Sequence, residues 1–215
     1  MTAVGGKAGK GWQAGDYLDR PLRELLDDVG GTAPVPAAGS ICAVTGALAA
    51  ALVAKVAGKS SPRMVEAESL AARATELAAE LAPLAQADAE SYTRFVQERR
   101  DRSSGNDGAD DNAWRSEQPQ DHDAAADHAA LDVPIAVAQA GAELAGMAET
   151  LARHGNPNLR FDAAGAARLA ASAARVSAWL AATNSRDAVA ARTAALNADR
   201  AERLAGNADR AAARK

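Results

Sequence analysis

SICAVTGALAAALVAKVAGK, residues 40–59, decides the fold class. Val44, Leu48, Leu52 and Val56 recur four apart, while Ala43, Gly46, Ala47, Ala50 and Ala54 form a second surface of small side chains. That spacing has the helical period rather than the two-residue alternation of a strand. A helix flanked by little more than methyl groups also lets its neighbours approach closely. The same bias runs through the chain: 48% of residues are hydrophobic but only 3% aromatic, so the apolar mass is mostly Ala, Leu and Val. These are residues that favour helices. At 215 residues the chain is long enough for one sizeable core. The sequence therefore predicts an all-α protein, an elongated up-and-down helical bundle, dimeric, with a flexible segment over residues 1–15 and a single domain over 16–215. Residues 41–57 come nearest to a membrane span, but Thr45, Gly46 and Lys55 interrupt them, and they read as a buried core helix.

Upstream, Pro34, Pro36 and Gly39 resist helix formation and predict an extended loop. Before it, Leu18, Leu22, Leu25, Leu26 and Val29 lie on one stripe of a packing helix over 16–29, closed by Gly30 and Gly31. Downstream, Ser61 and Pro62 open a helical stretch that runs to about 102, with a kink at Pro83. Residues 103–120 turn to Ser, Gly, Asn, Asp and Gln, the composition of a mobile loop, with Trp114 as its anchor. Helix resumes over 124–154, bent near Pro134, and stops at Gly155-Asn156-Pro157-Asn158. Asp162 then caps a helix to 184, and an Ala/Arg-rich helix follows over 185–215, in which Asn197–Ala201 is echoed by Asn207–Ala211.

A net charge of −4 supplies no positive field to attract nucleic acid or an anionic membrane, so neither is expected as a partner. Cys42 is the single cysteine, which excludes an intramolecular disulfide and a Cys-based zinc site and fits a reducing cytoplasm. It reads as a small packing residue. His122 and His128, with Asp123 and Asp127, invite a metal reading, but two histidines six apart face different sides of a helix. Neither a metal nor a redox cofactor is expected.

Pro34-Val-Pro-Ala-Ala-Gly-Ser40, followed by Gly46-Ala-Leu-Ala-Ala-Ala-Leu52, resembles the P-x-P-G-G-G-S and G-A-L-x-A-A-L signature of the cyclodeaminase/methenyltetrahydrofolate cyclohydrolase family. Asp88-Ala-Glu-Ser-Tyr92 is similar to that family's D-x-x-A-F/Y, and Val133-Pro134 to its V-P before an apolar helix. The fullest match is Gly155-Asn-Pro-Asn158, then Asp162-Ala163, Ala166-Ala167, Leu169-Ala170 and Asn184. The resemblance covers roughly 16–184 in the family's own order. It implies an all-helical homodimer acting on a one-carbon-substituted tetrahydrofolate as its small-molecule substrate. Such enzymes hydrolyse the methenyl form, or release ammonia from the formimino form while closing the methenyl ring. Four departures stand out. Ala37 and Ala38 replace glycines, Phe161 a serine, Val176 a glycine with Leu180 an asparagine, and Arg102 a proline, ahead of a loop longer than the family's.

Hydrolysis of the methenyl bridge needs water delivered to the electron-poor carbon between two nitrogens, and one carboxylate can activate that water while another stabilises the cationic ring. Asp88 and Asp162 are the candidate catalytic pair. Gly39 and Ser40, at a helix start, offer unpaired N–H groups and a hydroxyl to a polar ligand group. Asn156 and Asn184 bring amides that donate and accept at once. Tyr92 and Arg100 complete the substrate-binding set, the guanidinium suiting a glutamate carboxylate. Each has a plain structural reading as well: Asp162 and Ser40 as helix caps, Asp88 and Arg100 as solvated charges, Asn156 and Asn184 as a turn and a helix end. Two further readings follow. In one, the same pocket serves a different small molecule of specialised metabolism. In the other, a non-catalytic helical dimer binds a partner protein through its small-residue surfaces or its Arg-rich tail.

Overall fold

The computed structural model describes residues 17–61, 64–104, 124–184 and 187–214, with the backbone alone at 95, 98–104 and 124–130. The expectations for residues 1–15, the 103–120 loop beyond 104, and Trp114 lie outside these residues. Seven α-helices occupy the described chain, and no strand does: α1 Leu22–Val29, α2 Ala38–Gly58, α3 Ala67–Leu81, α4 Leu84–Ser104, α5 Ala124–His154, α6 Arg160–Asn184 and α7 Ala188–Ala213. Short 3-10 turns precede α1, Tyr17–Asp19, and α6, Pro157–Leu159.

Alanine sets the spacing of the core. α5, α6 and α7 pack against one another, and α2 lies against α6 on one side and α3 on the other. Along α6, Ala163, Ala166, Ala167, Ala170, Ala174 and Ala181 are almost wholly buried. Where α5 crosses it, a Cβ on Gly141 would lie 2.7 Å from the Ala170 carbonyl oxygen and 2.8 Å from the Ala174 Cβ. Backbones this close leave room only for hydrogen or methyl, which is why so apolar a chain needs so few aromatics. Ion pairs lace the outer edges. Arg73 of α3 forks onto Glu143 of α5 at 2.7 and 3.2 Å, and Arg175 of α6 reaches Asp199 of α7 at 2.7 Å.

Several sequence expectations need correction. The first helix does not begin at 16: Pro21 precedes it, and a residue before proline is disfavoured in the helical region. Its leucine stripe does not pack as a whole. Leu25 is buried, whereas Leu22 and Leu26 are 67% and 62% exposed. The kink expected at Pro83 is a break, because proline has no N–H to continue the ladder, and α3 ends before α4 begins. α3 itself starts at Ala67, after a turn, rather than at Ser61. Asp162 sits in the first turn of α6 rather than at its cap, and Asp187 caps α7, accepting from the N–H groups of Val189 and Ala190. Pro134 lies inside α5, as read.

α2 departs from a buried core helix in an informative way. Its Ala43, Gly46, Ala50, Val53 and Ala57 side is covered by the rest of the chain, but Leu48 is 61% exposed and Ile41, Val44 and Leu52 are half-buried. By length and composition α2 is the one described helix apolar enough to cross a membrane, and 44% of its most apolar window is buried. The small-residue surface thus serves internal packing, and the larger residues are the ones left open.

Candidate functional site

The N-terminus of α2 lacks a cap of its own. Ala37, at the cap position, is extended with φ −124° and has no side chain to accept from the first N–H groups. Such groups need a partner, and α4 supplies one. The Ser40 hydroxyl donates to Asp88 Oδ2 at 2.9 Å, and the Ser40 backbone also favours the charge of the same carboxylate. The negative group thereby sits at the positive end of the α2 dipole. Gly39 makes this seat: a Cβ there would lie 2.0 Å from Asp88 Oδ1 and 2.5 Å from its Cγ. Burial pushes the Asp88 carboxyl above its ordinary range, and the Ser40 hydroxyl and backbone only partly hold it down.

Three side chains that the sequence did not single out as site residues close around this pair. Tyr17, from the turn ahead of α1, is 3% exposed, and burial raises its phenol pKa strongly, with the Asp28 and Asp88 carboxylates adding to the shift. Cys42, read as packing, is indeed buried. Burial pushes its thiol up, the Ser177 hydroxyl of α6 pulls it back, and the Asp88 charge adds to the rise. Ser177 is itself 1% exposed. Tyr17 feels the Asp88 charge across a long stretch of sequence, and Ser177 faces Cys42 only because α6 runs antiparallel to α2. Neither relation has a sequence signal.

The expected site residues fall into two groups. Gly39, Ser40 and Asp88 are together, and Tyr92 stands one turn along α4, 46% exposed. Asn184, the exposed last residue of α6, lies at the same end, two turns beyond Ser177. Arg100 is farther along α4, its side chain outside the described atoms. Asn156 is elsewhere: its N–H donates to Ser60 Oγ at 2.9 Å, its Nδ2 to the Lys59 carbonyl at 3.1 Å, and its Oδ1 accepts from the Asn158 N–H at 3.1 Å. It clamps the α5–α6 turn to the C-terminal end of α2, with Asp162 half-buried in the turn that follows. At 1.5 Å per residue, the length of α2 separates the two groups by about 30 Å. Ser40 and Asp88 on one side and Asn156 on the other, read from the sequence as parts of one substrate site, do not enclose one hollow within a single chain. Beside Asn156 opens a cleft of about 330 Å³ lined by Arg153, His154, Gly155, Pro157, Arg160 and Arg214.

The departures from the family pattern also acquire a place. Ala37 and Ala38 are exposed beside the Gly39 seat, and Val176 and Leu180 flank Ser177 at the same end. No non-glycine residue among those described has a positive φ, so the two alanines fit the backbone without strain and add only their methyl groups. Among the described residues no three of His, Cys, Asp and Glu cluster as metal ligands would. His122 and Asp123 lie outside those residues, as do the side chains of Asp127 and His128.

An alanine-packed bundle of antiparallel helices, with an acid seated on the N-terminus of one of them, is the class that fold and site define. Comparison with known proteins narrows it. The formiminotransferase-cyclodeaminase family profile matches residues 21–202, and the chain belongs to that family. A crystal structure of formiminotetrahydrofolate cyclodeaminase from Thermotoga maritima is similar to this one, with a TM-score of 0.68 and 24% identity over 90% of this chain and 94% of that one. No curated protein sequence matches the chain.

Proposed function

We propose that this protein makes or breaks a C–N bond at the one-carbon unit of a substituted tetrahydrofolate, as a cyclodeaminase or a methenyl cyclohydrolase, and that Asp88 carries the proton. One observation bears the weight of this reading: the carboxyl of Asp88, half-buried and raised in pKa, held at 2.9 Å by Ser40 on a helix N-terminus. Both reactions take a proton from the attacking water or nitrogen and give one to the departing nitrogen, and an acid whose pKa is shifted toward neutrality does this best. The family profile supports the substrate class. No step calls for a metal or redox cofactor.

A homodimer follows from the same reading. Leu48 of α2 and Trp179 of α6 are each 61% exposed on neighbouring helices, with Val44, Leu52, Val176 and Leu180 half-buried between them, an apolar surface that a second copy would cover. Antiparallel pairing across a two-fold axis near Leu48 would set the Asn156–Asp162 end of one subunit beside the Ser40–Asp88 end of the other. That would reunite the two groups of family residues in a site neither chain completes alone.

The test is Asp88→Asn. An amide oxygen still accepts from Ser40, so the cap survives while the acid is gone. Turnover of formimino- or methenyltetrahydrofolate should be lost with melting temperature little changed. Full turnover in the variant would reduce Asp88 to a cap. A second reading, the same site serving a different small molecule, is favoured by the Ala37 and Ala38 methyls and by Leu180 at the site's edge. Calorimetry showing no binding of any tetrahydrofolate derivative would select it.

A further inference from the structure

α7 carries a charge pattern that neither the fold nor the proposed chemistry uses. Arg192, Arg200, Arg203, Arg210 and Arg214 are all exposed, with Leu196 and Asn207 continuing their line. At 3.6 residues per turn the six within the helix fall in a sector about 80° wide, and Arg214 follows them at the extended C-cap. They point away from Ala194, Ala198, Ala201, Ala205, Ala208 and Ala212, which are buried. The acids of α7 lie on another flank and are taken: Asp199 by Arg175 at 2.7 Å, Glu202 by Arg168 at 3.6 Å, and Asp209 also by Arg168. Among the described residues none of the five arginines has a carboxylate partner, and Arg210 donates only to Asn207 Oδ1, at 2.5 Å. Like charges three or four apart on a helix weaken it, so this stripe does not serve stability. Its middle forms a shallow hollow of about 580 Å³ at Arg200, Arg203, Leu204, Gly206, Asn207 and Arg210.

We propose that this stripe docks an acidic polypeptide segment of a partner protein. The stripe runs about 33 Å, the length of roughly ten extended residues, and is one side chain wide. That width decides among anionic ligands. A bilayer or a nucleic-acid duplex would also meet Asp199, Glu202 and Asp209 beside the stripe and the net charge of −4 behind it. A single strand of nucleic acid would find no aromatic side chain in the line on which to stack a base. A peptide with carboxylates at intervals can pair with the guanidinium forks and set an apolar side chain between Leu196 and Leu204.

The probe is a fluorescent glutamate-rich peptide of about fourteen residues containing two leucines, titrated by anisotropy against the full chain, with vesicles rich in phosphatidylserine and a single-stranded oligonucleotide in parallel. Saturable peptide binding is expected, weakening about tenfold or more between low and moderate salt. It should fall about tenfold in Arg203→Glu/Arg210→Glu and less in Arg203→Gln/Arg210→Gln, with an unchanged circular dichroism melt. Arg23→Glu on α1 should leave it intact. Absence of peptide binding, equal binding by the double variants, or vesicles or oligonucleotide binding as tightly as the peptide would each overturn the proposal.

Discussion

Replacing Gly39 with alanine tests the seat of Asp88 directly. The new Cβ would stand 2.0 Å from Asp88 Oδ1, so the carboxylate must retreat by more than about 1 Å to reach ordinary contact. That retreat breaks the 2.9 Å bond from Ser40. Losing a hydrogen bond to a charged, partly buried group costs about 1.5–3 kcal/mol. Alanine repays up to about 1 kcal/mol in helix propensity over glycine. The expected net loss is about 1–2 kcal/mol, a melting temperature lower by roughly 2–8 °C for a domain of this size. Gly165 on α6 is the matched control, because a Cβ there meets nothing within 4 Å. Gly165→Ala should raise the melting temperature by about 2–4 °C through propensity alone. Thermal denaturation by circular dichroism of the three proteins side by side reads both effects. If Gly39→Ala melts with or above the wild type, the contact between α2 and Asp88 is not what holds this end of the bundle.

Three more expectations follow from the same geometry. The Asp88 carboxyl holds its proton more tightly folded than unfolded, so its contribution to stability is full below the ordinary value of 3.8 and fades as pH rises through the raised folded value. Urea melts should show the wild type losing ground to Asp88→Asn across that window, and a difference independent of pH would contradict the raised pKa. Leu48→Glu puts a charge in the middle of the open α2 face and should give a folded monomer by light scattering, with turnover lost; an unaltered dimer would place the interface elsewhere. Mixing Asp88→Asn with Asp162→Asn subunits tests the shared site. If each variant alone is inactive, random reassortment restores about a quarter of wild-type sites, whereas no recovery would mean that both acids act within one chain or that Asp162 acts only in the first turn of its helix.

Much of the candidate site was legible as residues and little of it as a place. Asp88 and Ser40 stood out by motif, and the structure joins them through a bond that no local rule foretells, since 48 positions separate the two. Asn156 was equally legible, and both its turn and its clamp on Lys59 and Ser60 are real, yet it lies at the opposite end of α2. By period Tyr17 belongs to a packing helix, whereas in the structure it is buried in a separate 3-10 turn ahead of Pro21. Leu22 and Leu26 of α1 and Leu48 of α2 belong to regular helical periods but stay exposed, because periodicity reports which side chains share a face and not what stands opposite.

Residue identity alone determined that this chain is helical and that its helices pack through methyl groups. These follow from backbone preferences and side-chain size, which act within a few residues. Only the tertiary structure decided that α6 runs antiparallel to α2, which brings Cys42 to Ser177 and carries Asn156 away from Ser40. It also decided that the acids of α7 turn to the arginines of α6, so that among the described residues the arginines of α7 have no carboxylate partner. Those outcomes depend on contacts between segments dozens of residues apart, whose free energy is set by the assembled core rather than by either segment.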